Sequence, residues 1–286
     1  MINHLPLHHF SAYIPNQARQ LASKTRRVEM MSISIINNDT LTNLKNDPHY
    51  EDRVNLAAVF RMTARLGMNE GIANHFSYAV STDGSQFLIN PNGRHFSNIR
   101  ASELLLLDAH DDSTMDQPNA PDPTAWAIHG ALHRNVPQAR CVLHAHSKYA
   151  TILASIEQDS LPPIDQNTMR FYNRVSIDKG YDGMGLGDEA ERLSQTLGDN
   201  KVLLMGNHGC LTVGESIAAA FDEMFYFERS CSNYINALAT GKPLRLVSHE
   251  VAEKTARQWA SYSKAAHLHL KEVKEILDRE EPDYRR

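Results

Sequence analysis

The sequence predicts a three-layer α/β domain, and three observations carry that prediction. Short apolar runs of strand length gather in the middle of the chain. Longer segments with helical spacing flank them. Two of the apolar runs, Cys141-Val142-Leu143-His144-Ala145-His146 and Val202-Leu203-Leu204-Met205-Gly206-Asn207-His208-Gly209, break open at polar tips. Strands buried between helices form one of the few layer arrangements that cover both faces of a sheet.

Composition narrows the partners. The 286 residues suit one large domain or two small ones. Hydrophobic residues make up 42% and charged residues 22%, as in ordinary globular proteins. A formal net charge of −5 offers no electrostatic case for nucleic acid. No apolar run reaches the ~18 residues needed to span a bilayer, so no membrane partner is expected. Cys141, Cys210 and Cys231 are an odd count without metal spacing. Cys141 and Cys210 sit in apolar runs and read as buried thiols of a reducing compartment, which places the protein in the cytoplasm.

Residues 1–48 show no sustained periodicity and read as an N-terminal extension, poorly ordered in part, closed by Asp47-Pro48. Arg19, Lys24, Arg26 and Arg27 are not followed by a continuous apolar core, which argues against a secretory signal. A basic, acid-poor leader bears a weak likeness to an organelle transit peptide. A tail, or an over-extended start with Met30 or Met31 as the true beginning, is the preferred reading. Residues 49–286 read as the domain, with a C-terminal helical tail.

Within the domain, residues 53–66 have a broad apolar face and end at Gly67, a helix. The polar stretch from Asn69 to Asn74 leads to a strand at 75–80. Asp83-Gly84 predicts a hairpin turn and a returning strand at 86–90. Pro91-Asn92-Gly93 is a second turn, 104–108 a further strand and 110–122 a surface loop. Asp122-Pro123-Thr124 is a helix start, with Asp as cap and Pro at the first helical position. That helix runs to about residue 135, and another is expected over 148–157. A short strand follows at 174–177. Residues 179–187 hold four glycines but no Gly-Lys-Ser/Thr, so they read as a loop and not a phosphate cradle. Helices at 188–197 and 216–239 bracket the strand run that ends at His208 (202–209) and a strand at 211–213, and an amphipathic helical tail spans 251–277. Phe221, Phe225, Tyr226 and Phe227 exceed one buried stripe, which predicts a homo-oligomer.

The histidines carry the chemistry. Side chains alternate faces along a strand, so His144 and His146 point the same way, with Cα atoms roughly 6.6 Å apart at about 3.3 Å per residue. Two imidazoles at that separation can converge on one divalent ion. A hydrogen-bonded pair at a strand tip is the plainer alternative. His208, at the other tip, is the best third ligand. His129 and His133 share a helix face at i and i+4. The sequence between them, His-Gly-Ala-Leu-His, lacks the Glu of a metalloprotease helix. A hydrogen-bonded polar face is the better reading for His133, while His129 stays open.

Taken together, Gly71-Ile72-Ala73 before a Ser-containing strand, Asn90-Pro91-Asn92-Gly93, Val142-Leu143-His144-Ala145-His146 and Asn207-His208-Gly209 resemble the class II aldolase/adducin family. The resemblance covers roughly residues 53–245. The tail, with Leu277-Asp278-Arg279 and Pro282-Asp283-Tyr284-Arg285, looks like that of bacterial adducin-like members. It implies a three-layer α/β/α fold with a central, mainly antiparallel sheet, and a homotetramer with sites near subunit interfaces. It also implies one divalent metal per subunit on His144, His146 and His208, zinc first, with Fe2+ or Mn2+ as alternatives.

The departures from the family bear on chemistry. Phosphosugar aldolases and epimerases of the family carry a catalytic acid nineteen residues before the first ligand His, and here that position is Ala125. Their phosphate-binding Gly-Asn and Ser-Ser are replaced by Asn74-His75 and Pro123-Thr124. Pro123 has no N–H to offer an anion. The chain therefore resembles the adducin-type branch, in which a small residue also replaces the acid and Arg170-Phe171-Tyr172-Asn173-Arg174-Val175 has counterparts.

Two functions follow as expectations. The first is a metal-dependent carbon–carbon lyase, an aldolase or decarboxylase acting on a non-phosphorylated oxo- or hydroxy-carboxylate. His129, His75 and Tyr172 are the candidates for moving protons; His129 leads because it lies one turn beyond Ala125 on the same helix face, and imidazole titrates near neutral pH where a Tyr rarely does. Arg170, Arg94 and Asn92 are the candidate substrate contacts, the two arginines as carboxylate clamps. Ferrous iron with open positions could also activate oxygen. The second is an adducin-like binding module that kept the fold without the chemistry.

Overall fold

Period-two alternation sets the layers. The computed structural model describes residues 44–117 and 120–286. The expected N-terminal extension falls almost wholly outside them. Residues Pro48–Arg286 make one compact unit. Its strands are β1 (His75–Ala79), β2 (Gln86–Ile89), β3 (Leu105–Asp108), β4 (Cys141–Ala145), β5 (Val175–Asp178), β6 (Val202–Met205) and β7 (Gly209–Gly214). They form one sheet in the order β3-β2-β1-β4-β7-β6-β5. Every neighbouring pair is antiparallel except β5 with β6.

Eight helices accompany the sheet among the described residues: α1 (Tyr50–Arg65), α2 (Pro123–Asn135), α3 (Lys148–Ala154), α4 (Gln166–Arg170), α5 (Asp188–Leu197), α6 (Ile217–Ala239), α7 (His249–Ala260) and α8 (Lys264–Glu280). Alternate residues of β6 serve opposite faces. Leu203 and Met205 pack with Ile128 and Leu132 of α2 and Leu193 and Leu197 of α5. Val202 and Leu204 pack with Leu153 of α3 and Phe227 of α6. The same alternation on β1 sends Phe76 to Phe60 of α1, rings stacked at 4.8 Å, and leaves His75 and Ser77 for α2. A mixed sheet clad on both faces by helices is the architecture expected from the sequence.

Helix starts follow the expected capping. The Asp122 carboxylate accepts from Thr124 N–H at 2.9 Å, and Pro123 occupies the first turn of α2. Helix α4 had no periodicity to reveal it. It is nucleated by a capping box, in which Thr168 N–H donates to Asp165 at 2.7 Å and Asp165 N–H donates to Thr168 Oγ1 at 2.9 Å. The tail departs from the expected single helical stretch. It breaks after α7, where the Ser261 hydroxyl turns back to Gln258 O at 2.7 Å, before α8 begins. Serine competes with the helix ladder in this way. Helix α3 stops at Ala154, three residues earlier than expected, and the Ser155 hydroxyl that follows donates to Thr151 O at 2.9 Å.

The aromatic surplus on α6 has an internal explanation. Phe221 and Phe227 are fully buried. Phe225 meets His269 of α8 at 4.9 Å, and Tyr226 meets Trp259 of α7 at 5.8 Å. The C-terminal helices of the same chain thus cover the stripe that suggested a subunit interface. Among the described residues no helix is long and apolar enough to cross a membrane.

Candidate metal centre

Strand β4 delivers His144 to the edge of the core, where it is almost wholly buried. Its Nδ1–H donates to the Cys210 carbonyl at 3.0 Å, on the paired strand β7. That bond leaves Nε2 as a bare lone pair. His146 lies just past the end of β4, and its Nδ1–H donates to the Glu70 carboxylate at 2.5 Å. Both rings therefore present Nε2, oriented by an outer partner as metal-bound imidazoles are. The sequence held no spacing that would single out either partner, because Glu70 and Cys210 lie 76 and 66 residues from the rings they hold.

His208 comes from the turn that joins β6 to β7, where Met205 pairs with Gly209. Asn207 adopts a left-handed backbone, φ 57°, to close that turn. Gly209 is required by space. A Cβ there would meet Ala145 O at 2.8 Å and His146 Cδ2 at 3.0 Å. The Asn-His-Gly tip thus keeps clear the ring it helps to complete.

The three rings form a near-equilateral triangle, with centroids 4.9, 4.9 and 4.8 Å apart. One ligating nitrogen from each lies within 4.8 Å of the others. His144 Nε2 and His146 Nε2 are 3.1 Å apart. Two lone pairs facing at that distance repel, and a shared cation removes the repulsion. Tetrahedral zinc, with Zn–N near 2.0–2.1 Å, sets its ligand nitrogens about 3.3 Å apart. Burial, reinforced by the neighbouring histidines, lowers the His144 pKa well below its ordinary value, and burial lowers that of His208. The neutral rings are the ligand form. The donor set and its spacing fit one divalent cation.

A second histidine array runs away from this triangle. His75 pairs directly with His144 across β1 and β4, ring centroids 4.8 Å apart. Behind it, His75 Nδ1 is 2.7 Å from His129 Nε2. His129 Nδ1 is 2.5 Å from Ser77 Oγ, which is 2.7 Å from His133 Nε2. His133 Nδ1 ends the array on the Ala139 carbonyl at 2.7 Å. Burial lowers the pKa of His75 to about 3, that of His133 to about 4, and that of His129 well below its ordinary value. The hydrogen-bonded reading of His133 holds. His129 does lie one turn beyond Ala125, but it reaches the triangle only through His75. Ala125 itself is packed with Ala79, Phe87, Ile89 and Leu107, an apolar cluster.

The other sequence candidates divide. Thr124 Oγ1 lies 3.4 Å from His75 Nε2 and donates to Asp122 at 2.6 Å. Next to it, Pro123 lines a cleft with Asn92, Gly93 and Pro121. Arg94 is tied to Glu103 at 2.6 Å. Arg170 is held between Asp222 at 2.8 Å and Glu223 at 3.0 Å, with its guanidinium over the Tyr226 ring. Two carboxylates neutralise the charge a substrate clamp would use. The Tyr172 hydroxyl is 3.1 Å from His249 Nδ1, on α7. The structure therefore brings Asn92 beside Pro123, the neighbour of Thr124, while Arg94, Arg170 and Tyr172 are engaged elsewhere in the chain.

Comparison with known proteins agrees with this anatomy. A family model described as the class II aldolase and adducin N-terminal domain matches residues 54–235. A Caulobacter vibrioides protein named for class 2 aldolases is 31% identical over 214 residues, 74% of this chain and 82% of that one. A decarboxylase of Streptomyces niveus is 29% identical over 208 residues, 72% of this chain and 74% of that one. Among solved structures, an aldolase II superfamily protein from Pseudomonas syringae superposes with TM-score 0.76 at 32% identity, covering 84% of this chain and 97% of that one. The matched span contains all three triangle histidines, the sheet that carries them and the second array. On that span and these identities, the chain belongs to the class II aldolase and adducin family.

Proposed function

We propose that the chain is a divalent-metal-dependent carbon–carbon lyase. Its substrate is a non-phosphorylated oxo- or hydroxy-carboxylate, which it cleaves by an aldol or decarboxylation route. Family membership and the decarboxylase-named relative support lyase-type activity. The observation that carries the finer reading is the pairing of His75 with His144, which sets a neutral imidazole against a three-histidine site. His144, His146 and His208 would hold the divalent cation, which when bound would supply Lewis-acid stabilisation to a substrate carbonyl. Zinc is the first choice, with Fe2+ or Mn2+ as alternatives.

The remaining roles fall to this chain's own groups. His75 takes or returns the substrate proton, the role Ala125 cannot fill. His129 holds His75 from behind, which reverses the order of the two expected from the sequence. Asn92 lines the cleft beside Pro123. A non-phosphorylated substrate is supported by two groups: Pro123 has no N–H, and the Thr124 hydroxyl is spent on Asp122. Three free, buried thiols suit a cytoplasmic protein.

The test is a screen of 2-oxo- and hydroxy-carboxylates with metal-loaded protein, reading carbon dioxide or aldehyde release. Turnover of at least one acid, with none of fuculose- or ribulose-type phosphates, is the expected result. Robust cleavage of the phosphates would overturn the substrate class. Absence of both metal and turnover would return the chain to a non-catalytic adducin-like binding module.

A homotetramer belongs to the same proposal. Its support moves from α6 to the glycine-rich loop, where Tyr181, Met184 and Leu186 are each at least half exposed. Sedimentation at micromolar concentration is expected to give the tetramer mass, and a monomer would refute it.

A further inference from the structure

The second histidine array has only one internally consistent pattern of protons when its rings are neutral. The Ala139 carbonyl can only accept, so His133 carries its proton on Nδ1. His133 Nε2 is then a lone pair and must accept from the Ser77 hydroxyl. Having given its one proton, Ser77 Oγ accepts from His129 Nδ1–H. His129 Nε2 is left as an acceptor, and His75 Nδ1–H supplies it. His75 Nε2 therefore remains an unprotonated lone pair. Its nearest hydroxyl, Thr124 at 3.4 Å, already donates to Asp122 at 2.6 Å. A backbone carbonyl four groups away thus dictates which nitrogen of His75 is bare.

We propose that Ser77, His129 and His133 are positioning residues that lock His75 in its Nδ1–H tautomer, so that its Nε2 meets a hydrogen-bond donor on the substrate. The donor is a neutral hydroxyl or the proton to be removed, and an anionic oxygen at this position meets a lone pair. The lock itself stands on hydrogen-bond direction; its use in lyase chemistry rests on the function proposed above. The geometry favours order over adaptability. All four side chains are buried, the links run from 2.5 to 2.7 Å, and successive hydrogen bonds polarise one another. Two members come from alternate residues of β1 and two from one face of α2, so backbone ladders fix every separation.

Nitrogen-15 NMR of histidine-labelled, metal-free protein reads the tautomers without any turnover. The expected wild-type result is a single Nδ1–H tautomer for His75, His129 and His133, each assigned through its ring-to-backbone correlations in the wild-type spectra. An Nε2–H form on any of the three overturns the proposal, and this measurement needs no folded variant. Ser77→Ala removes both links of the hydroxyl. It is expected to move the His129 and His75 nitrogens toward shifts averaged between tautomers, and Ser77→Thr to restore them. A His75 signal unchanged in folded Ser77→Ala also overturns it. Failure to find a substrate would remove the lyase reading and leave these spectra as they are.

Discussion

Replacing His146 by alanine is expected to reduce the bound divalent metal to near zero while leaving the fold intact. His146 follows the end of β4 and its ring is partly exposed, so its loss opens no core cavity. It does remove one corner of the triangle and the partner that faces His144 Nε2 at 3.1 Å. Elemental analysis of protein purified without a histidine tag checks this. A variant that retained wild-type metal would redraw the site. Glu70→Gln offers a graded version of the same measurement. The amide still accepts from His146 Nδ1–H but carries no charge, and loss of such outer partners weakens metal affinity by roughly 10–100-fold. The thermal midpoint should follow occupancy, because a ligand at 100 times its Kd adds about 2.7 kcal/mol to stability.

Acid should unfold the metal-free protein steeply, and the sign follows from the buried histidines. In the folded chain His133 titrates at about 4, whereas an unfolded histidine titrates near 6.5. Between those values the unfolded state binds a proton that the folded state does not. Stability therefore rises with pH in that window, is complete above about 6.5, and is lost as pH falls toward 4. The slope is about 1.4 kcal/mol per pH unit for each such group. Burial lowers His75 and His129 in the same direction, so they steepen the loss on acidification. Domains are stable by about 5–15 kcal/mol, so even one such group removes an appreciable share between about pH 6.5 and 4.5. Urea unfolding curves at pH 7, 6 and 5 read the slope, and flat stability over that range would refute it. His133→Gln should be less stable at pH 7 but lose less on acidification.

The sequence revealed what obeys local periodicity and withheld what depends on distant partners. Strand ends and helix starts were readable where a turn or cap is written in neighbouring residues, as at Asp122-Pro123 and Asp83-Gly84. The triangle was readable because two of its members share one strand tip. Helix α4 was missed because five residues carry no period, although Asp165 and Thr168 hold its capping box. The break between α7 and α8 turns on serine hydroxyls that a hydrophobic pattern ignores. The order of His75 and His129 could not be read from either segment. It is set by the pairing of β1 with β4, a contact across some seventy residues of chain. Arg170 looked like a free cation because Asp222 and Glu223 lie more than fifty residues away.

The direct pairing of His75 with His144 also bears on how such a protein can be retooled. Their spacing is a rung of main-chain bonding and owes little to the identity of the side chains around them. Substitutions in the cleft near Asn92 and Pro123, or in the loop that carries Tyr181, can change what fits without shifting that rung. A descendant could reshape that cleft many times over and inherit the same pair of rings at each step.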